Sequence, residues 1–312
     1  MASGVSFAIA IILAGQQAES LPLQSEAVEE EAPQPSRAEL VIKALAEGFP
    51  KRIEKIEIRN DDWALLMDDV WYYYAGGKML PESLLEEADG YSGFDGIYNY
   101  QSELPPWVEP TSEQSERFRN RGRSRNDSNR GSSETPAVPR QRSNHFREAL
   151  WQASSRADSS LRVKSVDFLG MKTEVHSDIV EILSYVEARI MAVAEIDPLV
   201  QEWVTGIGEL HGWNWRNVAG SQARSNHSYG IAIDILPKSL DGKETYWQWV
   251  SRSGRDWWNI PYTDRYHPPD AAIKAFEAYG FIWGGKWFLF DTMHFEYRPE
   301  VFIMNGLALE KI

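Results

Sequence analysis

The stretch that decides the fold is Ser225-Asn226-His227-Ser228-Tyr229-Gly230-Ile231-Ala232-Ile233-Asp234. Its second half alternates isoleucine with Ala232 and Asp234, which is the two-residue period of a β-strand. Gly230 lets the chain turn between the histidine and this strand. Ala232 and Asp234 share one face, so a small side chain leaves space beside a carboxylate. The pattern predicts a strand over 230–236 with a histidine at its entrance.

A second histidine follows in Asp291-Thr292-Met293-His294-Phe295-Glu296. A catalytic zinc ion keeps three protein ligands and one open position for water. His227, Asp234 and His294 would supply two imidazoles and a carboxylate, a nitrogen- and oxygen-rich set suited to Zn²⁺. The chain has no cysteine, which excludes a thiolate zinc site and a cysteine nucleophile. We therefore expect one zinc ion per chain at these residues, although taken singly each histidine also fits a place in the core.

These motifs resemble those of a known peptidase family. The pattern S-x-H-x-x-G-x-A-x-D followed by D-x-x-H is that of the zinc D-alanyl-D-alanine carboxypeptidases, the VanY-like peptidases and the L-alanyl-D-glutamate endopeptidases of phage endolysins. Residues 215–221 are similar to the family's R-x-(I/V)-x-G-S run, and 276–296 to its G-F-x-W-G-G-x-W block. The resemblance covers residues 145–300, and 49–81 only loosely.

The resemblance implies an α+β fold of the hedgehog/DD-peptidase type, in which a small antiparallel sheet and flanking helices surround a zinc site. It also implies that His227, Asp234 and His294 are the zinc ligands. The activity implied is hydrolysis of a peptide bond in peptidoglycan stem peptides, either removal of the terminal D-Ala or cleavage between L-Ala and D-Glu. The R-x-x-x-G-S run and the W-G-G block favour the endopeptidase branch.

Further roles follow from the same resemblance. Asp291 matches the catalytic carboxylate that takes a proton from the zinc-bound water and passes it to the leaving amine. A carboxylate three residues from a ligand would face away in a regular strand, so a bend or bulge near 292–293 is implied. Arg216 would bind a substrate carboxylate or the developing oxyanion, and Ser225 would hydrogen-bond near the metal. Alternatively, Asp291 is a turn residue and Arg216 a surface cation. Glu296 is expected to be a hydrogen-bond partner of a ligand histidine.

Two other classes of function fit the same residues. One is a zinc-containing but catalytically idle binding domain, as hedgehog relatives show. The other is a wall-anchoring interaction protein that uses residues 38–144. The presence of Asp291 beside all three candidate ligands favours an enzyme.

Charge and hydropathy limit which partners the protein can bind and indicate where in the cell it is located. The formal charge of −14 over 312 residues argues against nucleic acid, because phosphate binding needs clustered Lys and Arg. The apolar run 5–14 is shorter than the roughly 20 residues that span a bilayer, and no later segment could cross one. Its length suits a secretory signal, although a basic segment before it is missing. We expect residues 1–18 to be a signal or N-terminal anchor and the protein to be exported to the periplasm or cell envelope.

Composition also divides the chain. An acidic linker is predicted at 19–37, a β-rich segment with a meander at 38–104, a disordered Ser/Arg/Pro linker at 105–144, and the peptidase domain at 145–312. The arginines of 105–144 also fit a tether to anionic wall polymer. Whether 38–104 is a separate domain or completes the catalytic fold stays open at this point. Within the last segment we expect helices at 173–195 and 271–279 and a hairpin at Gly284-Gly285.

Overall fold

The computed structural model describes residues 35–94, 98–127, 141–218 and 223–311. The predicted signal or anchor and the first part of the acidic linker lie outside these residues, as do Gly220 and Ser221 of the motif before the first histidine. The α-helices are α1 (Arg37–Gly48), α2 (Ser112–Asp127), α3 (His145–Leu150), α4 (Arg156–Arg162), α5 (Val180–Ala194), α6 (Pro198–Thr205), α7 (Trp247–Arg252), α8 (Asp270–Ala278) and α9 (Pro299–Met304). Within the described ranges no helix is both long and apolar enough to cross a membrane.

The strands form small sheets that are mostly antiparallel. They are β1 (Lys55–Arg59), β2 (Asp62–Met67), β3 (Val70–Tyr73), β4 (Leu80–Pro81), β5 (Tyr91–Ser92), β6 (Gln141–Arg142), β7 (Val163–Phe168), β8 (Met171–His176), β9 (Ile207–His211), β10 (Ala232–Pro237), β11 (Phe281–Trp283) and β12 (His294–Tyr297). Two sheets have four strands, in the orders β1-β2-β3-β4 and β11-β12-β10-β9, and the remaining pairs are β5-β6 and β7-β8. The mixture of helices and small antiparallel sheets agrees with the predicted α+β class.

The first four-stranded sheet is the meander that the sequence predicts. Its strands follow one another along the chain and pair antiparallel. Asn60 and Asp61 join β1 to β2 with φ angles of 49° and 60°, and Asp68 and Asp69 join β2 to β3 with 50° and 60°. Two successive positive φ angles are the signature of a type I′ hairpin turn, which Asn and Asp tolerate.

The second four-stranded sheet joins strands that are far apart in the sequence. Strand β10 lies between β12 and β9, and β11 pairs with β12. The register of β10 and β12 sets Asp234 directly opposite His294. Helix α8, predicted at 271–279, ends before Gly280, whose φ of 85° is left-handed.

The predicted helix at 173–195 is correct only from residue 180 onward. Residues 171–176 are β8, the second strand of a hairpin with β7, and α5 begins at Val180. Thr173 and Val175 are buried on one face of β8, as period-two alternation requires. Val175, in the strand, and Ile179, just before the helix, are four residues apart. Their spacing matches the apolar spacing of the helix, and the sequence pattern therefore places the start of the helix too early.

The hairpin predicted at Gly284-Gly285 is also wrong, because β11 pairs with β12 and a 3₁₀ turn occupies 284–286. Both glycines are instead required by close packing. A Cβ on Gly284 would lie 2.5 Å from the carbonyl oxygen of Asp291, and one on Gly285 would lie 2.1 Å from the ring of Trp283.

Helix α2 lies inside the segment predicted to be a disordered linker. The ring of Phe118 packs against Trp257, Trp258 and Phe288 at centroid distances of 6.2, 5.7 and 4.9 Å. Arg119 pairs with the carboxylate of Asp256 at 2.6 Å. The disorder prediction therefore does not hold for this helix, and residues 128–140 of the segment lie outside the described part of the chain. The wall-polymer tether stays a prediction.

The meander segment and the predicted peptidase segment share one core. The described residues from Pro35 onward form a single compact unit, and α1 packs on α9. The ring of Phe49 contacts those of Trp151 and Tyr297 at 5.5 and 6.3 Å. Lys286 donates hydrogen bonds to the carbonyls of Gln101 and Ser102, which fixes the chain after the meander to the region beside β11.

Candidate active site

Three elements bring His227, Asp234 and His294 together. His227 lies in a 3₁₀ turn, Asn226–Tyr229, just before β10, while Asp234 is on β10 and His294 begins β12. Between the turn and the strand, Gly230 has a φ of 72°, and a Cβ there would lie 2.7 Å from the backbone nitrogen of His176. Only glycine satisfies both conditions, so the predicted turn at Gly230 has a steric reason.

The atoms of these residues that could bind a metal ion converge on one point. Nε2 of His227 lies 3.2 Å from Oδ1 of Asp234 and 3.2 Å from Nδ1 of His294, and the last two atoms are 2.8 Å apart. Tetrahedral zinc with bonds of about 2.0–2.1 Å separates its ligand atoms by about 3.3 Å. All three residues are buried, with exposures of 2%, 9% and 7%. The triangle fits one face of a small tetrahedral cation site.

In both histidines, a hydrogen bond to one ring nitrogen determines which nitrogen faces the candidate metal position. Nδ1 of His227 lies 2.6 Å from the carbonyl oxygen of Gly212, which can only accept, so Nδ1 carries the hydrogen and Nε2 offers its lone pair. Nε2 of His294 lies 3.0 Å from Oε2 of Glu296, which leaves Nδ1 facing Asp234. Acceptors of this kind orient the histidine ligands of metal sites.

Glu296 is held as an ionised acceptor. Asn226 donates from Nδ2 to its Oε2 at 2.6 Å, and Arg298 donates from Nη1 to its Oε1 at 3.2 Å. Burial by itself would raise the pKa of Glu296, but hydrogen bonds and the charges of His294 and Arg298 lower it to about 2. Arg298 also donates from Nε to Glu300, which begins a charged row behind the ligand. The geometry agrees with the expectation that Glu296 supports a ligand histidine.

Asp291 lies beside the three candidate ligands and is not part of their cluster. Its carbonyl accepts from the backbone nitrogen of His294 at 3.2 Å, and this closes the turn at 292–293 that the sequence implied. Its Oδ1 is buried and has no hydrogen-bond partner among the described residues. Burial, with repulsion from Asp234 and Glu296, raises the pKa of Asp291 to about 7 despite attraction from His294 and Arg216. Such a carboxyl group can accept and release a proton near neutral pH.

Arg216 and Ser225 line the same cleft as His227, Asp234 and His294. The cleft has a volume of about 1250 Å³. The carbonyl of Arg216 accepts from the backbone nitrogen of Ser225 at 3.1 Å, and its own N–H donates to Ser228 Oγ at 2.8 Å. These bonds fix the backbone of Arg216 against the turn that carries His227, while its side chain is exposed.

The cleft also has walls that sequence reasoning missed. The ring of Trp287 packs against that of His294, with centroids 5.4 Å apart, and its Nε1 donates to the hydroxyl of Tyr98 at 2.6 Å. Tyr246, which precedes α7, and Arg252, at its end, also line the cleft. Trp287 belongs to the recognised W-G-G-x-W block, but no local pattern pairs it with Tyr98, which precedes it by 189 residues.

Two family models match the chain. Residues 219–297 match that of D-alanyl-D-alanine carboxypeptidase, and residues 41–94 match that of a domain of unknown function. No solved structure matches the chain. The first match includes His227, Asp234, Asp291 and His294 and leaves Arg216 outside. It confirms the resemblance to the D-alanyl-D-alanine carboxypeptidase family over the segment that carries the candidate site.

Proposed function

We propose that the protein is a zinc-dependent peptidase that hydrolyses a peptide bond in peptidoglycan stem peptides. The observation that carries the proposal is the convergence of Nε2 of His227, Oδ1 of Asp234 and Nδ1 of His294 within about 3 Å of one another, inside a segment of the D-alanyl-D-alanine carboxypeptidase family. One Zn²⁺ per chain and a hedgehog/DD-peptidase-like fold belong to this proposal, as does export to the periplasm or cell envelope.

The mechanism assigns distinct tasks to the residues of the cleft. His227, Asp234 and His294 would hold the zinc ion, which would supply a water with its pKa lowered to about 7. Asp291 would accept the proton that the attacking water loses and deliver it to the nitrogen of the leaving amine, because its carboxyl group is buried beside the three candidate ligands and its Oδ1 has no hydrogen-bond partner among the described residues. Arg216 binds a carboxylate of the substrate or the developing oxyanion. Ser225 contributes through its backbone link to Arg216.

The two candidate bonds differ in their products. Cleavage of D-Ala-D-Ala releases free D-alanine, whereas cleavage of L-Ala-D-Glu releases a peptide with D-Glu at its new amino terminus. The family match names the carboxypeptidase, while the R-x-x-x-G-S run and the W-G-G block favour the endopeptidase. We propose the endopeptidase bond as the first to test.

The test is release of a new amine from purified peptidoglycan by the zinc-loaded protein, with each product identified by mass. We expect a product with D-Glu at its new amino terminus, no release by the chelator-treated protein, and release slowed at least about 10²-fold in Asp291→Asn. Free D-alanine as the sole product would move the assignment to the carboxypeptidase. Zinc-loaded protein that binds peptidoglycan and releases no amine would instead support the idle binding domain.

A further inference from the structure

Two arginines in the cleft differ from the other cations around it. The chain is strongly acidic, with 46 Asp and Glu against 32 Lys and Arg. Other cations that line the cleft are held by side chains of the protein. Lys286 pairs with Glu277, and Arg298 pairs with Glu296 and Glu300. Arg224 donates to Asn217 and stacks on the ring of Trp215. Just beyond α7, Arg255 is paired with Glu244.

Arg216 and Arg252 both line the cleft and are exposed, yet no carboxylate in the described part of the chain forms an ion pair with either. Among the residues that the structure describes, the guanidinium of Arg252 makes only a long hydrogen bond of 3.5 Å, with Gln248. Two guanidinium groups that line one cleft and have no carboxylate partner among the described residues are available to bind an anionic ligand.

Tyr246 lines the same cleft as these two arginines. Its backbone forms a β-bridge with Asp291, which places it next to the candidate general base. The edges of Trp247 and Trp249 hold its ring, at centroid distances of 6.1 and 5.8 Å and interplanar angles of 71° and 88°.

The Tyr246 hydroxyl is available as a hydrogen-bond donor in the cleft. It lies within electrostatic range of Asp291, Arg216 and Arg252, and it makes no hydrogen bond to another residue that the structure describes. Burial, with repulsion from Asp291, raises the pKa of this phenol to about 12, so it keeps its proton at neutral pH.

We propose that Arg252 and Tyr246 complete, together with Arg216, a binding site for a carboxylate of the substrate. A carboxylate offers about four lone-pair positions, which the forked donors of two arginines and one phenol can fill. Because Tyr246 is bridged to Asp291, the site lies beside the group that protonates the leaving amine. The bound carboxylate therefore belongs to the amino acid whose amine is released. This assignment to a leaving group rests on the proposed peptidase function, whereas the anion site itself does not.

Equilibrium binding tests the site separately from turnover. The probes are a stem pentapeptide with free carboxyl groups and the same peptide with every carboxyl group amidated. Both are titrated by calorimetry into zinc-loaded protein carrying Asp291→Asn, so that neither is consumed. We expect the free peptide to bind at least about 10-fold more tightly than the amidated one, since hydrogen bonds to charged groups are the stronger kind.

Variants of the two new residues are then made in the same background. Arg252→Gln should lower the affinity for the free peptide by about 10-fold and Tyr246→Phe by about 3-fold, with the affinity for the amidated peptide and the zinc content unchanged. Arg255→Gln is the matched control, because Arg255 is exposed and paired with Glu244. It should bind both peptides as the parent does.

The results separate this site from the proposed peptidase activity. Equal loss of affinity for both peptides in Arg252→Gln and Tyr246→Phe, or an undiminished preference for the free peptide, would refute the carboxylate site even if peptidoglycan is cleaved. A preference that these two variants reduce and Arg255→Gln does not would establish the site, even if the wild-type protein releases no amine.

Discussion

The two four-stranded sheets are both antiparallel, but they differ in how far apart in the sequence their paired strands lie. In the first sheet the strands follow one another in sequence, and tight turns join β1 to β2 and β2 to β3. In the second, β10 pairs with a strand that begins 60 residues after Asp234, and this pairing sets Asp234 opposite His294. The cluster suited to a metal ion lies in and beside the second sheet. The first sheet, whose strands are neighbours in the sequence, packs on the hydrophobic core. The second sheet, whose strands are far apart in the sequence, brings the candidate metal-binding side chains together.

The two sheets also differ in the free-energy cost of the side chains that they bury. The first sheet places apolar residues such as Leu65 and Met67 in the core. The second places two imidazoles and a carboxylate in the interior, which is costly unless these groups are paired or bind a cation. We therefore expect the second sheet to depend on metal and the first to be independent of it. The following predictions test this contrast, from the largest expected effect to the smallest.

Removing a ligand should abolish the metal site. His227→Ala is expected to reduce bound zinc from one ion per chain to background, to abolish amine release and to lower the melting temperature, because metal binding is linked to folding. Metal analysis and thermal denaturation measure these effects. His145→Ala is the control, since His145 is exposed and lies at the start of α3. A variant that loses zinc and still cleaves peptidoglycan would refute the zinc mechanism.

Asp291→Asn should separate chemistry from metal binding. We expect kcat to fall by at least about 10²-fold, the usual scale for general acid–base catalysis, with the zinc content unchanged. The reason is that Asp291 lies beside the ligands with one buried oxygen free of hydrogen bonds to described residues. Steady-state kinetics with metal analysis on the same sample measures both quantities. Full activity in this variant would point to Glu296 as the base.

Glu296→Gln should weaken the metal site without removing a ligand. The variant keeps an acceptor for Nε2 of His294 but loses the negative charge that Arg298 balances. We expect zinc affinity to fall by about 10- to 100-fold, as for other outer partners of metal ligands. Competition with a chelator of known affinity measures the change. Unaltered affinity would show that the orientation of His294 is set elsewhere.

Tyr98→Phe tests the contact between the segment after the meander and the wall of the cleft. The change removes the hydroxyl that accepts from Nε1 of Trp287 and leaves that donor without its partner. We expect the free energy of unfolding to fall by about 1–2 kcal/mol. A chemical denaturation curve measures it, and an unchanged midpoint would show that water replaces the hydroxyl without loss.

Asp61→Ala should affect the first sheet alone. Asp61 has a φ of 60° in the turn between β1 and β2, a conformation that costs alanine about 1 kcal/mol. The free energy of unfolding should fall by roughly that amount, while zinc content and kcat/KM stay unchanged. Asp61→Asn, which tolerates the same conformation, is the control. A loss of zinc in Asp61→Ala would contradict the independence of the two sheets.

The parts of the site that the sequence predicts lie in short motifs. His227 and Asp234 are seven residues apart, and the D-x-x-H motif leads from Asp291 to His294, so the turn, the strand and the bend could be read locally. Tyr246 was missed because its role depends on a backbone bridge to a residue 45 positions later in the chain.

The errors in secondary structure have similarly specific causes. The helix predicted at 173–195 failed at its start because a buried strand residue, Val175, happened to continue the helical spacing. The two glycines at 284–285 suggested a hairpin, although they are there to admit a carbonyl oxygen and a tryptophan ring. A sequence pattern does not distinguish a glycine needed for its dihedral angles from one needed for its small size.

The packing of Phe49 on Trp151 and Tyr297 has a practical consequence for anyone who expresses part of this chain. The family-matched segment 219–297 contains the chemical groups, but the aromatic surface around it is covered by residues from the first third of the sequence. A fragment cut at the family boundary would carry that surface uncovered and would self-associate. The smallest fragment worth expressing therefore begins before α1, and its boundary is set by what covers the aromatic rings.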